Sequence, residues 1–120
     1  MSCSFSPEQL WNLADEFGTP LWVYDAAVIR ERIAQLKAFD TIRFAQKACS
    51  NIHILKLMGE QGVKVDAVSR GEILRAVAAG YVAGGEPSDI VFTADVMEEA
   101  PPATVVAHKV PVHAGSIPML

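Results

Sequence analysis

The chain has 120 residues, 51% of them apolar, and a formal charge of −4. This length and apolar content suit one globular core and exclude a disordered chain, and an acidic balance without a basic run excludes a nucleic-acid surface. No apolar run approaches the roughly 20 residues that span a bilayer, Met1-Ser2-Cys3-Ser4 has no basic n-region, and Cys3 and Cys49 suit neither a disulfide scaffold nor a metal site, so a cytoplasmic protein with no membrane or metal is expected.

Ser6-Pro7-Glu8-Gln9 reads as a helix start: a Ser cap, Pro at the first helical position, Gln three residues after the cap. Leu10, Leu13 and Phe17 form the apolar stripe, and Gly18 stops the helix. Leu21–Tyr24 is expected to be a short apolar strand. Ala26–Phe39 follows as a second helix, with Ile29, Ile33 and Leu36 on one face. Further strands are predicted near Ile42–Gln46, Val63–Val68, Ile90–Thr93 and Val110–His113. Helices are predicted at about Ile52–Gln61, Gly71–Ala79 and Glu98–Ala107, with Gly62 and Gly80 placed as terminators. Ser69-Arg70-Gly71-Glu72 has the spacing of a capping box. A helix between successive strands implies an α/β protein with parallel, right-handed crossovers. Such strands suit a small open sheet or half of a barrel, and periodicity does not choose between them.

Arg43-Phe44-Ala45-Gln46-Lys47-Ala48-Cys49-Ser50-Asn51 carries the most chemistry. It reads as a strand delivering Lys47 to its C-terminal end, followed by a cap at Ser50 or Asn51 and a helix whose buried side holds Ile54, Leu55 and Met58. Strand ends are where α/β proteins present reactive groups. Flanked by Ala45, Ala48 and Cys49, the lysine is expected in a poorly solvated setting, the condition under which an amine becomes a nucleophile able to form Schiff bases. Spacing alone favours an ordinary surface lysine at a strand end.

The segment Phe44–Leu55 resembles the pyridoxal-phosphate lysine segment of the diaminopimelate decarboxylase family. Phe17–Asp25 resembles that family's entry segment, and Gly62–Ile73 its second barrel strand and the helix start after it. Asp89–Val96 and Val112–Ile117 resemble its third and fourth strands, so the likeness runs in order from about Phe17 to Leu120. The resemblance implies an alanine-racemase-like architecture: a (β/α)8 TIM barrel that binds the cofactor, plus a β-rich second domain. Residues 1–25 would then be an N-terminal helix and a leading strand belonging to the β-rich domain. Residues 26–120 would be the first half of the barrel, about four βα units where a complete barrel takes roughly 250 residues. A half-barrel exposes strand edges and an inner face, so marginal stability or self-association is expected of the chain alone. Four positions depart from the family pattern: the Pro101-Pro102 pair at a helix start, His113 in place of a small amide, and Pro118 in place of an acid.

The resemblance implies that Lys47 holds pyridoxal 5'-phosphate as a Schiff base and serves as a catalytic residue. Asp66, on the neighbouring strand, is implied to contact that lysine across the cofactor and to favour a protonated imine; an Asp solvated near a strand end is the plainer alternative. Glu72 is implied at a spacing that can approach the lysine, and a capping box with Ser69 explains it equally well. Ala45, two residues before Lys47, would face the same side of the strand and leave room for the cofactor ring. His53, Cys49 and Ser116 are discounted as site residues. In the family, the phosphate loop, the acid at the pyridine nitrogen, the stacking histidine and the substrate-binding arginine come from beyond Leu120, and a second subunit completes each site. The reaction implied is decarboxylation of the amino acid meso-2,6-diaminopimelate to L-lysine, in a homodimer, with this chain expected to be inactive alone. The alternatives are an ornithine or arginine decarboxylase, an alanine racemase, a non-catalytic half-barrel, and a flavodoxin-like phosphoacceptor domain using Asp66, Thr93 and Lys109.

Overall fold

A computed structural model describes residues 4–93 and 103–117. Helix α1 (Pro7–Phe17) begins at Ser6, whose hydroxyl accepts from the Gln9 amide at 3.2 Å while the Gln9 side chain accepts from the Ser6 amide at 2.8 Å. Gly18 ends it at φ 82°, a conformation that favours glycine. Helix α2 (Ala26–Ala34) is capped by Asp25, whose carboxylate accepts from the Ala27 amide at 2.7 Å. It stops well before the expected Phe39. The chain tightens there into three-residue turns, Leu36 N–H to the Ile33 carbonyl and Phe39 N–H to the Leu36 carbonyl, and Phe39 stays exposed with no surface to bury against.

Strands β1 (Arg43–Ala45), β2 (Lys64–Ala67) and β3 (Ile90–Phe92) form one parallel sheet in the order β1-β2-β3. Phe44 pairs with Val65, which pairs with Ile90; Ala45 pairs with Asp66, which pairs with Val91. Helices α3 (Ile52–Gly59), α4 (Arg70–Ala78) and α5 (Ala103–Ala107) follow the strands. The core lies between sheet and helices: Val65, Ala67, Ile90 and Phe92 from the strands meet Leu55, Ile73, Ala76 and Val105 from the helices. A sheet built in sequence order is the order of a (β/α) barrel. A flavodoxin-like domain instead places its first strand between the second and third, so the phosphoacceptor alternative is set aside.

Two expected strands are corrected. Residues 21–24 pair with no strand among the described residues, and Trp22 is 86% exposed. In place of the strand Val110–His113 there is one parallel bridge, Phe92 to Val112. Pro111 there has no N–H to offer, and its carbonyl accepts from Phe92 at 2.9 Å. The expected helix residues 98–102, the Pro101-Pro102 pair, Cys3 and Pro118 lie outside the described residues.

Neither α1 nor α2 has a buried residue, and Trp11 on α1 is 71% exposed. Helix α2 nevertheless packs on α3, whereas α1 stands apart, and the extended outline shows in the Cα radius of gyration, 17.1 Å, where a compact domain of this length has about 13–14 Å. Among the described residues, no helix is long and apolar enough to cross a membrane.

Candidate functional site

The parallel strands present their C-terminal ends along one edge, and Lys47 stands two residues past the end of β1. The chain leaves strand geometry at Gln46: residues Gln46–Ala48 form a 3₁₀ turn in which the Gln46 carbonyl accepts from the Cys49 amide at 2.9 Å and from the Ser50 hydroxyl at 3.0 Å. This corrects the expectation that Ala45 and Lys47 share a side through strand alternation, because the alternation ends between them. Lys47 is exposed, contrary to the poorly solvated setting expected of it. Asn51 caps α3, its side chain accepting from His53 at 2.9 Å and from Ile54 at 3.4 Å.

Strand alternation sorts the remaining groups. Phe44, Val65, Ala67, Ile90 and Phe92 face the helices. Ala45, Asp66 and Val91, in register across the sheet, are half-buried on the other face. Asp66 accepts a hydrogen bond at Oδ1 from the Thr93 hydroxyl. One layer toward the strand starts, Lys64 Nζ forms an ion pair with Asp89 at 3.5 Å and donates to the Pro87 carbonyl at 3.1 Å. The Arg43 guanidinium crosses that same end, donating to the carbonyls of Ser88 at 3.0 Å and of Val65 and Asp89 at 3.3 Å each. Cations are thus spent on backbone carbonyls at the strand starts, while an amine and a carboxylate stand toward the strand ends.

The expected site residues fare differently. Lys47 and Asp66 are not an ion pair among the described residues. Glu72 is buried, and its carboxylate accepts from the Val68 amide at 2.8 Å while the Ser69 hydroxyl accepts from the Glu72 amide at 3.3 Å. This is a capping arrangement reaching one residue further back than the usual box, and it occupies the Glu72 carboxylate at the β2–α4 turn. His53 and Ser116 are exposed. The Cys49 thiol lies 4.0 Å from the Tyr24 hydroxyl, and their hydrogen bond holds that phenol above its ordinary range. Among the described residues no cluster of His, Cys, Asp and Glu could hold a metal. Sequence reasoning missed Thr93 as the partner of Asp66; the alternation Val91–Thr93 on a strand beside Asp66 was the available signal.

Residues 26–118 match the family described as pyridoxal-dependent decarboxylase, pyridoxal binding domain. The chain is 63% identical over 113 residues to a diaminopimelate decarboxylase of Escherichia coli K12, covering 94% of this chain and 27% of that protein. It is 61% identical over 107 residues to one from Streptomyces coelicolor, covering 89% of this chain and 24% of the other. A crystal structure of diaminopimelate decarboxylase superposes with a TM-score of 0.87 at 62% identity, over 93% of this chain and 27% of that one. The chain therefore spans about a quarter of the length of the relatives it matches.

Proposed function

This chain belongs to the pyridoxal-dependent decarboxylase family, in its pyridoxal-binding domain, and from that membership we propose that it serves the decarboxylation of meso-2,6-diaminopimelate to L-lysine. The observation that carries the reading is the edge where β1 delivers an exposed lysine beside a strand holding a half-buried carboxylate. Relatives at 63% and 61% identity that are both diaminopimelate decarboxylases favour this substrate over ornithine or arginine, and favour decarboxylation over racemisation.

The residues present fit pyridoxal phosphate: a primary amine open to solvent at Lys47, a methyl-sized side chain at Ala45, and at Asp66 a second carboxylate oxygen beyond the one bonded to Thr93. When bound, the cofactor supplies the electron sink for the charge left on the α carbon as CO₂ departs. Lys47 Nζ would hold the cofactor and would carry the proton that the reaction returns. Asp66 stabilises positive charge at that nitrogen. Ala45 leaves space for the ring. Glu72 keeps the β2–α4 turn in shape through the Val68 amide and reaches the site only indirectly.

The finer architecture is part of the same reading. β1, β2 and β3 are the opening strands of a (β/α)8 barrel, supported by their sequential parallel order. Residues 1–25 contribute to a β-rich second domain, which accounts for the unburied α1 and the exposed Trp22. The assembled enzyme is a cytoplasmic homodimer acting on a free amino acid.

The test is to mix the chain with pyridoxal phosphate, reduce with borohydride and map the labelled peptide. A single label on Lys47, lost in Lys47→Ala, is the expected result; labelling scattered over surface lysines overturns the assignment of Lys47.

A further inference from the structure

We propose that Thr93 is a positioning residue: its hydroxyl fixes the rotamer of the Asp66 carboxylate so that the oxygen left over, Oδ2, is aimed at the cofactor-bearing nitrogen. The inference rests on the reading of Lys47 and Asp66 given above.

Thr93 follows β3 directly, and its backbone amide donates to the Ala67 carbonyl at 3.0 Å, so the sheet holds its main chain. Being β-branched, it has few side-chain rotamers available. It lies two residues past Val91, the register partner of Asp66, which puts its side chain on the same face as the carboxylate. There the hydroxyl donates to Asp66 Oδ1, and among the described residues it is the side chain bonded to that carboxylate. The cations that share the face do not compete for Asp66: Lys64 is engaged by Asp89 and by the Pro87 and Ser88 carbonyls, and Arg43 by three backbone carbonyls.

A carboxylate on a short side chain, half-buried and without a cationic partner, would otherwise turn among its rotamers and spend part of its time facing water. One hydroxyl on a rigid strand removes that freedom before the cofactor arrives, which is how a supporting shell sharpens a site. A hydroxyl donor also leaves the negative charge of Asp66 in place, whereas a lysine or arginine in its position would neutralise it.

The experiment uses pyridoxal phosphate as the probe and the absorbance of its complex with the chain as the readout. At one fixed pH, the ratio of the visible band to the near-ultraviolet band reports how strongly the protonated linkage is favoured. Thr93→Val keeps the shape and removes the donor, and it is expected to lower the ratio about 2- to 10-fold, the range of one hydrogen bond. Thr93→Ser restores the donor and is expected to stay within about 2-fold of the parent. Asp66→Asn lowers the ratio as well, and Thr93→Val adds nothing on top of it, since the two act through one group. A Thr93→Val ratio equal to the parent while Asp66→Asn falls overturns the role of Thr93 and leaves that of Asp66 standing. If Thr93→Ser is as impaired as Thr93→Val, the residue acts through packing and the proposal fails. An unchanged Asp66→Asn ratio, or no label on Lys47, overturns the underlying reading and this inference with it.

Discussion

Gln46 and Lys47 are neighbours in sequence and opposites in environment: Gln46 is 0% exposed and, among the described residues, neither amide atom of its side chain is hydrogen-bonded, while Lys47 is open to solvent. The 3₁₀ turn that lifts the lysine out of the sheet starts at the residue it buries. A buried amide without partners is costly, since it loses water at both ends and gains nothing.

Replacing Gln46 with Met or Leu should therefore raise stability by about 1–3 kcal/mol. Urea unfolding followed by circular dichroism measures this, and borohydride labelling of Lys47 should survive the change. A loss of stability would mean that the amide is bonded by a buried water.

Arg43 ties the starts of all three strands together through three backbone carbonyls. Arg43→Met should cost about 1–2 kcal/mol, because hydrogen bonds from a charged donor exceed neutral ones while this side chain remains partly in water. Arg43→Lys should recover little of it, as one ammonium cannot span carbonyls that a planar fork reaches. The same urea titration distinguishes the two.

In the alkaline range, burial pushes the Tyr81 phenol up to about 12 from 10.0, with the Asp89 carboxylate adding to the shift. Its hydroxyl donates to the Leu55 carbonyl at 2.8 Å, which requires the proton. Because the folded form holds that proton more tightly than the unfolded chain, the stabilisation is intact below pH 10.0 and is lost as pH rises toward about 12. Melting temperature against pH should fall more steeply for the parent chain than for Tyr81→Phe, and equal slopes would remove Tyr81 as the cause.

At the acid end the sign reverses. The Ser4 hydroxyl, and after it the Ala27 amide, hold the Asp25 carboxyl below the ordinary carboxylate range. The folded chain then binds this proton less readily than the unfolded one. The cap of α2 is thus fully effective above the ordinary carboxylate value, about pH 4, and weakens as pH falls below it. Protection of the Ala27 amide, its exchange rate taken relative to the intrinsic rate at each pH, should fall with acid in the parent and stay flat in Asp25→Asn, which caps without titrating.

The parts of the fold legible in the sequence are those fixed by neighbours along the chain. Ser6, Pro7, Gln9 and Gly18 bound α1 through bonds spanning a few residues, and the β1, β2 and β3 segments emerge within a residue or so at each end. What was illegible depends on distant partners. Residues 21–24 have strand composition without a strand to pair with, and Pro111 thins a fourth strand to one bridge. Lys47 was found through its segment's likeness to a family, while its exposure follows from a 3₁₀ turn that no local pattern announced. Thr93 and Asp66 are 27 positions apart in sequence, and only the register of β2 with β3 makes them partners.

The detached N-terminal helix has a consequence for spectroscopy. The chain's two tryptophans are Trp11 and Trp22, both on the outside and both remote from the sheet in sequence. Their emission should already be red-shifted and open to acrylamide in the native state, and should change little while the strands around Lys47 melt. Should this N-terminal stretch dock onto a β-rich domain or a second subunit, a blue shift and protection from the quencher would record the event, with the rest of the chain contributing almost no background.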